Sequence, residues 1–331
     1  EKSHFERLFT QADNSIKGTF RKQYRMHPDI NKVIEQFYTK DGGLECGFIN
    51  EDYESEGTPF SRYHGIDIDG LISPENHVIW IDTNSPEIAE GTSRTNRGEV
   101  DAIEWVLSQL ATSDSFEAYN NKFSSEEDKE IGLITFYGAQ LRLLRQLQGK
   151  YSGKLTLKPS SVDRFQGMER NIVIVSLVRS NCIAENEKQA PDYRVYKELG
   201  FRKQTDFGFA KSPNRLNVAL SRAKRLLIIV GNSAHYSSYK NKEGEAIYKN
   251  VFESIKTNPN GKIIHWEHKL MKKRPRPISK NRSANLNTRD INPETDGHLR
   301  VIETWLRPNA NRTNPKIAVL ELSTKAVKCL I

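Results

Sequence analysis

The sequence has few cysteines, and this scarcity excludes two classes of small, cross-linked protein. Cys46, Cys182 and Cys329 are the only three, and no pair of them has Cys-x-x-Cys spacing. Such a set provides neither a disulfide scaffold nor a zinc site, and it is typical of a reducing compartment. The sequence also lacks an apolar run long enough to span a membrane and lacks a secretory signal pattern. We therefore expect an intracellular protein, cytoplasmic or nuclear, without a membrane partner.

The positive charge of the chain is concentrated near its C-terminus. The whole sequence has a formal net charge of +8, whereas residues 269–331 contain 14 Lys and Arg against 5 Asp and Glu. That segment therefore carries +9, and residues 1–268 carry −1. A basic composition indicates a nucleic-acid partner only where the charge lines a binding surface. A nucleic-acid groove in the rest of the chain must be argued from local residues.

Short apolar runs rich in β-branched residues alternate with helical patterns, which indicates an α/β domain. We predict strands at 78–82, 131–136, 154–162, 171–178 and 226–231. We predict helices over 96–110, through Leu141, Leu144 and Leu147, and over 215–224. Continuous apolar strands separated by helices indicate a parallel sheet with helices on both faces.

The composition divides the chain into four parts. Residues 1–40 form a lead-in segment, and residues 41–75 look like an irregular insertion rich in Gly, Asp, Glu and Ser. Residues 76–256 form the α/β domain, and residues 257–331 form a basic, partly flexible linker and tail. Within the α/β domain, the polar stretch 182–208 is predicted to be a long connection between a strand and a helix.

One stretch combines cations with an otherwise apolar segment next to a buried strand. It reads Arg215-Leu-Asn-Val-Ala-Leu-Ser-Arg-Ala-Lys224, and the apolar run 226–231 follows it. A guanidinium such as that of Arg222, held at the edge of a buried sheet, suits contact with a phosphoryl group during its transfer. The alternative is an amphipathic helix whose arginines face water. This segment alone does not separate the two.

Three further segments carry residues suited to a nucleotide or to a phosphate backbone. Gln23-Tyr-Arg-Met-His-Pro-Asp-Ile30 places an aromatic ring and a cation just before a helix that begins with proline. Ser160-Ser-Val-Asp-Arg-Phe-Gln-Gly-Met-Glu169 contains a Gln-Gly turn, which lets the backbone approach a ligand. Thr135-Phe-Tyr-Gly-Ala-Gln140 runs from a strand end into a helix start, where backbone N–H groups can meet an anion. Each segment also has a structural interpretation. The first is then a loop with a buried tyrosine and a surface arginine, the second a loop in which Glu169 has no ligand, and the third a corner that every α/β unit has.

The order and spacing of these segments bring them together at one sheet. Gln166, Glu169 and Arg222 fall near the ends of neighbouring strands, where open α/β sheets bind ligands. Taken together, the four segments resemble the C-terminal RecA-like domain of superfamily 1 helicases. The likeness points to the 5′-to-3′ branch that includes the RNA-surveillance helicase and senataxin-like proteins. It covers about residues 1–256 and implies a RecA-like fold of the P-loop NTPase type.

The resemblance implies roles for three residues at an ATP site. Tyr24 would stack on the adenine, and Arg25 would reach the γ-phosphate. Arg222 would act as an arginine finger supplied across a cleft between two domains. Such a finger is worth about 10³–10⁵ in rate, because it neutralises charge that develops only in the transition state.

The resemblance also implies supporting roles around that site. The residues that would contact the nucleotide or support the arginine helix are Gln166, Gly167, Glu169 and Arg215. The residues that would face a single strand of DNA or RNA, contacting phosphates rather than bases, are Thr135, Tyr137, Gln140, Ser160 and Ser161. No metal-binding residue is predicted in this chain.

The sequence lacks the parts that hold ATP and Mg²⁺ in such motors. A phosphate loop needs Gly-x-x-x-x-Gly-Lys-Ser/Thr, and the segment 149–155 has one residue too few and no hydroxyl after Lys154. The strand 78–82 ends on Asp82, but Thr83 stands where a glutamate is needed. We therefore expect ATP and Mg²⁺ to be held by an N-terminal RecA-like domain, in cis or in trans. Since the chain begins with Glu1, a fragment of a longer protein is one reading of it.

Two functions remain open from the sequence. The first is the second motor domain of an ATP-dependent helicase, inactive when alone. The second is a non-enzymatic module that keeps a helicase-like fold to bind nucleic acid or a partner.

Overall fold

The described residues are built around a six-stranded parallel sheet. The computed structural model describes residues 8, 11–13, 20–48, 62–180, 207–240 and 244–266. The strands are β1 (Lys22–Gln23), β2 (Glu45–Cys46), β3 (Val78–Thr83), β4 (Ile88–Glu90), β5 (Ser93–Thr95), β6 (Ile131–Thr135), β7 (Leu157–Ser161), β8 (Arg170–Ser176), β9 (Ala223–Gly231) and β10 (Gly261–Trp266). Six of them form the central sheet in the order β10-β3-β9-β8-β6-β7, with every neighbouring pair parallel.

Helices follow most strands of the sheet. They are α1 (Pro28–Ile34), α2 (Arg97–Leu110), α3 (Asp114–Asn120), α4 (Glu126–Lys129), α5 (Gly138–Lys150), α6 (Pro213–Leu220), α7 (Ser233–Ser237) and α8 (Ile247–Thr257). Several begin at a side-chain cap: the Oδ1 of Asn96 accepts from the backbone N–H of Glu99 at 3.1 Å and starts α2. None of the described helices has both the length and the apolarity needed to cross a membrane.

Alternate residues of each strand enter two separate cores, one on each face of the sheet. In β8, Val173 and Val175 face the core formed with α1, α6 and α8. Ile172 and Ile174 face the core formed with α2, α3 and α5. Because the side chains of a strand alternate in direction, the continuous apolar sequence of β8 fills both cores. The predicted α/β class, a parallel sheet with helices on both faces, is confirmed.

The connection from β7 to β8 returns across one face of the sheet. Both strands are parallel to β6, which lies between them, so residues 162–169 must run back to the edge where strands begin. Phe165 is fully buried on this path. It packs over Gly132 of β6, where a Cβ atom would lie 2.8 Å from the Cζ of Phe165. The missing side chain at residue 132 therefore makes room for the connection.

Several boundaries differ from the sequence-based predictions. The helix predicted over 215–224 ends at Leu220, so Arg222 lies in a turn, and β9 already begins at Ala223. The predicted strand 154–162 is shorter, because only Leu157–Ser161 pairs with β6. The strand β10 lies inside the stretch assigned to the basic linker, so the sheet domain extends beyond residue 256.

The stretch predicted as an irregular insertion is partly packed. Ile66, Leu71 and Ile72 are buried in the core that contains α2. The short strand β2 pairs with β1 in parallel, with Glu45 opposite Lys22. Residues 49–61, most of the predicted connection 182–208, and the tail after residue 266 lie outside the described residues.

Candidate functional site

Four charged side chains from three segments meet where β8 and β9 begin. Glu169 directly precedes β8, Arg222 directly precedes β9, and Lys224 is the second residue of β9. The two strands are neighbours, and Arg170 pairs with Ala223, so the residues before them lie side by side. Arg25 joins them from the turn before α1. Glu169 and Arg222 thus lie near the ends of neighbouring strands, as predicted. These are the amino ends, whereas open α/β sheets usually bind ligands beyond the carboxyl ends.

Glu169 links two of the cations. The Nε of Arg25 donates to Oε2 of Glu169 at 2.5 Å, and the Nζ of Lys224 lies 3.3 Å from Oε1 of Glu169. Arg25 also donates from Nη1 to the carbonyl of Ser221 at 3.3 Å. Burial on its own would raise the pKa of the Glu169 carboxyl, but the hydrogen bonds and charges of Arg25 and Lys224 outweigh it and hold that pKa below its usual value.

Arg222 is held by backbone atoms. Its Nε donates to the carbonyl of Val218 at 3.2 Å, and its Nη1 donates to the carbonyl of Met168 at 3.3 Å. Burial lowers the pKa of Arg222, and the nearby charge of Arg25 lowers it further. The guanidinium is thus a half-buried cation beside a second cation, an environment that favours binding of an anion.

Tyr24 places an exposed ring beside these cations. Its residue is 64% exposed, the largest value among the residues of this site. One side of the ring packs closely on Gly47, where an added Cβ would lie 2.3 Å from a ring carbon. The edge of the ring meets Phe48 at a centroid distance of 6.0 Å. A ring supported on one side and open on the other suits stacking of a planar ligand.

The turn that carries Tyr24 and Arg25 is fixed by local hydrogen bonds. The Oε1 of Gln23 accepts from the backbone N–H groups of Arg25 and Met26 at 2.8 and 2.7 Å. The backbone N–H of His27 donates to the carbonyl of Lys224 at 2.9 Å, which ties the turn to β9. Pro28 then begins α1. The sequence Gln-Tyr-Arg-Met-His-Pro therefore encodes a turn held both by itself and by the sheet.

The remaining residues predicted for the nucleotide site, Gln166, Gly167 and Arg215, lie outside this cluster of four charged side chains. Arg215 binds Asp163 through two contacts, Nε to Oδ1 at 3.1 Å and Nη2 to Oδ2 at 3.2 Å. It lies in the first turn of α6, whereas Arg222 follows the last. Gln166 is exposed, and Gly167 has a φ of +88°, which only glycine adopts without strain. Arg215 thus fixes the start of the 162–169 connection through Asp163, and Gly167 allows the backbone of the connection to turn.

The residues predicted to face a nucleic-acid strand gather at the opposite edge of the sheet. Thr135 and Ser161 are the last residues of β6 and β7 and pair with each other. The side chains of Thr135, Tyr137 and Gln140 are fully buried. Burial keeps these three from direct contact with a strand, which corrects the prediction for them. Ser160 is almost buried, and Ser161 is half-buried.

Buried polar side chains hold this carboxyl edge together. Gln140 accepts from the backbone N–H of Asn96 at 2.9 Å and donates to Ser176 Oγ at 2.9 Å. The carboxyl of Glu99 accepts from Ser176 Oγ at 2.6 Å and from the backbone N–H of Val178 at 2.8 Å. These bonds hold Val178 at a φ of +75°, a rare conformation for a β-branched residue.

Burial changes the protonation of Glu99. Its removal from water raises the pKa of the carboxyl to about 8, although the hydrogen bonds from Ser176 and Val178 oppose the rise. Close by, Arg179 donates to Glu87 at 2.8 Å in a buried ion pair. The carboxyl edge therefore depends on an internal polar network rather than on an exposed row of serines.

Sequence reasoning missed one contributor to the amino-edge site. Arg62 donates from Nε to the carbonyl of Arg25 at 2.6 Å and from Nη2 to the carbonyl of Tyr24 at 3.1 Å. It lies in the predicted insertion, where no motif marked it. Among the described residues, no group of three or more His, Cys, Asp or Glu side chains could hold a metal ion.

A sequence model of a known family matches this chain over residues 1–234, and the description of that family is AAA domain. The match spans all four motif segments. The chain belongs to the AAA domain family. The predicted likeness to superfamily 1 helicases is confirmed by curated relatives of this chain, several of which are described as ATP-dependent helicases.

Two of the curated relatives show how much of this chain is matched. The chain is 31% identical over 238 residues to the regulator of nonsense transcripts 1 homolog of Drosophila melanogaster. It is 30% identical over 241 residues to the DNA replication ATP-dependent helicase/nuclease dna2 of Schizosaccharomyces pombe. The aligned part is 70% of this chain in both cases, but only 16% and 15% of those proteins. The chain therefore spans about a sixth of the length of the relatives that it matches.

A solved structure also matches, the C-terminal domain of a possible DNA helicase from Lactobacillus plantarum. The two chains are 14% identical, and the match covers 74% of this chain and 99% of that one, with a TM-score of 0.31. At that TM-score the fold class rests on the strand order and the two cores of this chain itself.

Proposed function

We propose that this chain is the second motor domain of an ATP-dependent nucleic-acid helicase or translocase. The observation that carries the proposal is the meeting of Arg25 and Arg222 at one sheet edge, beside the exposed ring of Tyr24. Membership of the AAA domain family supports it, as do relatives described as ATP-dependent helicases.

The residues of the amino edge fit a nucleoside triphosphate. The open face of Tyr24 suits a base, and the adjacent guanidinium groups suit a phosphate chain. Arg222 makes its two hydrogen bonds to backbone carbonyls, so a phosphate oxygen can replace them without leaving a carboxylate unpaired. ATP, when bound, supplies a phosphoanhydride whose terminal phosphoryl group is transferred to water.

In this proposal each side chain has a distinct task. Tyr24 stacks on the adenine, and Arg25 orients the terminal phosphate. Arg222 neutralises charge that develops on that phosphate, which is the task of an arginine finger. Such a residue raises the rate of hydrolysis about 10³- to 10⁵-fold. Glu169 contacts the nucleotide with Gln166 and Gly167, after releasing Arg25 from its ion pair.

The second half of the ATP site belongs to another domain. The sequence has no phosphate loop, and among the described residues no group of three or more His, Cys, Asp or Glu side chains could hold a metal ion. Mg²⁺ and the phosphate loop are therefore assigned to an N-terminal RecA-like domain, present in the same protein or supplied separately. The chain alone is expected to show no ATPase activity.

A single strand of DNA or RNA is assigned to the carboxyl edge of the sheet. Ser161 is the half-buried hydroxyl there, next to Ser160, and α5 begins at the same edge. Hydroxyl and backbone N–H groups contact phosphates without reading bases. The buried Thr135, Tyr137 and Gln140 support this edge from inside rather than touching the strand.

The test is to supply the missing domain. The purified chain is assayed for ATP hydrolysis alone, and then with the first RecA-like domain of a family helicase, fused upstream or added separately, with single-stranded DNA or RNA present. We expect no turnover from the chain alone and stimulated turnover from the pair. Arg222→Ala should lower turnover at least about 10³-fold, while Arg145→Ala, on α5, should leave it unchanged.

The outcomes separate the two readings of the chain. Turnover by the chain alone that depends on Arg222 would overturn the assignment of the second half-site. Nucleic-acid binding by the pair without any turnover would favour the non-enzymatic binding module. Salt-sensitive binding that disappears on deletion of residues 269–331 would locate nucleic-acid affinity in the basic tail instead of the sheet edge.

A further inference from the structure

Arg62 contacts the backbone of both Tyr24 and Arg25. Its Nε donates to the carbonyl of Arg25 at 2.6 Å, and its Nη2 donates to the carbonyl of Tyr24 at 3.1 Å. Two donors of one planar guanidinium thus fix two successive carbonyl groups. A planar group that binds two acceptors at once restricts their orientation as well as their distance. The peptide planes that set the directions of the Tyr24 ring and the Arg25 guanidinium are therefore fixed together.

Arg62 is itself anchored to the strands that carry the rest of the site. The carbonyl of the next residue, Tyr63, accepts from Nη1 of Arg225 at 2.8 Å, and Nε of Arg225 donates to Asn171 at 3.1 Å. Arg225 lies on β9 and Asn171 on β8. The guanidinium of Arg62 also lies 5.0 Å from the ring centroid of Phe48. Arg62 is thus held in place relative to the same strand ends that carry Glu169 and Arg222.

The surroundings of Arg62 disfavour its positive charge, so that charge needs a compensating interaction. Burial lowers the pKa of Arg62, the charge of Arg225 lowers it further, and Glu169 partly compensates. The two backbone carbonyls accept hydrogen bonds from this half-buried cation, and the ring of Phe48 lies beside it. A guanidinium kept among other cations, with donors bound to the backbone of the site residues, indicates a role in geometry rather than in surface charge.

We propose that Arg62 is a positioning residue of the nucleotide site, which sets the orientation of Tyr24 and Arg25 toward the strand ends that carry Glu169 and Arg222. This inference rests on the proposed function of the site. Arg62 does not touch the nucleotide; it acts through the two residues whose carbonyl groups it binds.

The first test uses the chain as it is. Hydrogen exchange is followed in the turn 23–27, where the N–H groups of Arg25, Met26 and His27 are bonded. Arg62→Ala should raise exchange in this turn about 10-fold, and Arg62→Lys should raise it less, because a lysine keeps the charge but lacks the planar fork. Exchange in α5 should stay unchanged. Equal exchange in the parent and in Arg62→Ala would overturn the proposal.

The second test uses the chain paired with a first motor domain. Arg62→Ala should lower kcat/KM for ATP about 10- to 100-fold, the range expected for displaced site residues. In a Tyr24→Ala background the effect of Arg62→Ala on KM should shrink to within about 2-fold, because Arg62 can no longer orient a ring that stacks on the base. An unchanged effect in that background would mean that Arg62 only stabilises the fold, and would overturn the proposal.

The controls separate this inference from the proposed function. Arg142→Ala removes another arginine, paired with Glu90 on the far side of the sheet, and should change neither measurement. If Tyr24→Ala and Arg25→Ala leave kcat/KM unchanged, the proposed function fails. If those two lose activity while Arg62→Ala stays within about 2-fold of the parent, only the positioning role fails.

Discussion

The Nε of Arg25 lies 2.5 Å from Oε2 of Glu169, although 144 positions separate the two residues in sequence. This contact joins the turn before α1 to the start of β8. In the proposed function, a phosphate that approaches Arg25 competes with this carboxylate for the guanidinium. The ion pair therefore keeps the cation ordered in the absence of a ligand and competes with the ligand when one arrives.

The first prediction concerns the acid response of that ion pair. The pKa of Glu169 is held below its usual value, so the carboxylate stabilises the fold above its ordinary pKa of 4.5. That contribution is lost as the pH falls through the lower, folded-state pKa. Glu169→Gln should lower the free energy of unfolding at pH 7 by less than about 1 kcal/mol, because the pair is partly exposed.

In urea unfolding experiments below pH 4.5, the difference in the free energy of unfolding between Glu169→Gln and the parent should shrink as the pH falls. A constant difference between the parent and Glu169→Gln from pH 7 to pH 3 would contradict the assigned ion pair.

The second prediction concerns Glu99 at the carboxyl edge. Its pKa of about 8 in the folded state lies above the ordinary value of 4.5, so between these values the folded protein keeps a proton that the unfolded chain releases. Stability should therefore fall as the pH rises from 5 to 8. Glu99→Gln mimics the protonated acid and does not titrate. Its free energy of unfolding should therefore rise by about 2 to 4 kcal/mol relative to that of the parent over this interval.

Denaturant unfolding at pH 5, 6.5 and 8 measures this gain. If the free energies of unfolding of Glu99→Gln and the parent run parallel across the interval, the buried carboxyl is ionised at all three values and the prediction is wrong.

The third prediction concerns three imidazole rings that pack beneath the Tyr24 turn. His27 and His77 stack at a centroid distance of 3.4 Å, and His64 meets His77 edge-on at 4.6 Å. Burial lowers the pKa of His64 to about 3, and the charges of His77 and Arg225 add to this effect. Between pH 6.5 and 3 the unfolded chain therefore binds a proton at His64 that the folded protein excludes.

Stability should decrease through His64 as the pH falls over that interval. His64→Ala loses packing and two hydrogen bonds at pH 7, but it also removes the acid-sensitive group. The amount by which its free energy of unfolding falls short of that of the parent should shrink by about 2 kcal/mol between pH 6.5 and pH 5. Urea unfolding at both values measures the change, and a deficit that grows on acidification would show that His64 is charged in the folded state.

The fourth prediction concerns Gly132, over which Phe165 packs. A Cβ at this position lies 2.8 Å from the ring, so Gly132→Ala must displace Phe165 and the connection that leads to Glu169. We expect a loss of about 1 to 3 kcal/mol in the free energy of unfolding. Gly149→Ala is the matched control: nothing lies within 4 Å of its added Cβ, and it should be neutral or stabilising. Equal effects of the two substitutions would contradict the packing.

Much of the fold follows from local patterns. The strand predicted at 78–82 and the helix predicted over 96–110 agree with β3 and α2 to within one residue at each end. Their boundaries depend on nearby residues, the apolar run in the first case and the cap at Asn96 in the second. Such signals lie within a few positions of the residue that they determine, so a sequence displays them directly.

The arrangement of the site depended on contacts that no local pattern contains. Arg222 stands in a turn because β9 must begin at Ala223 to pair with β8, a tertiary demand that overrides the helical pattern of this segment. Arg62 contacts Tyr24 and Arg25 from about 40 positions away, without a motif of its own. The burial of Gln140 likewise depends on Asn96 and Ser176, which other strands and helices supply.

The separation of the two edges has a mechanical consequence. Strand β8 runs from Arg170, beside the charged cluster, to Ser176, beside the buried network of Glu99. At about 3.3 Å per residue its ends lie about 20 Å apart. Densely packed cores on both faces resist deformation, so the sheet moves as one body. If, in the proposed function, the sheet rotated by about 10° about its amino edge on closing over a nucleotide, the carboxyl edge would travel about 3.5 Å. A binding event at one end of β8 would thus become a displacement at the other through stiffness alone.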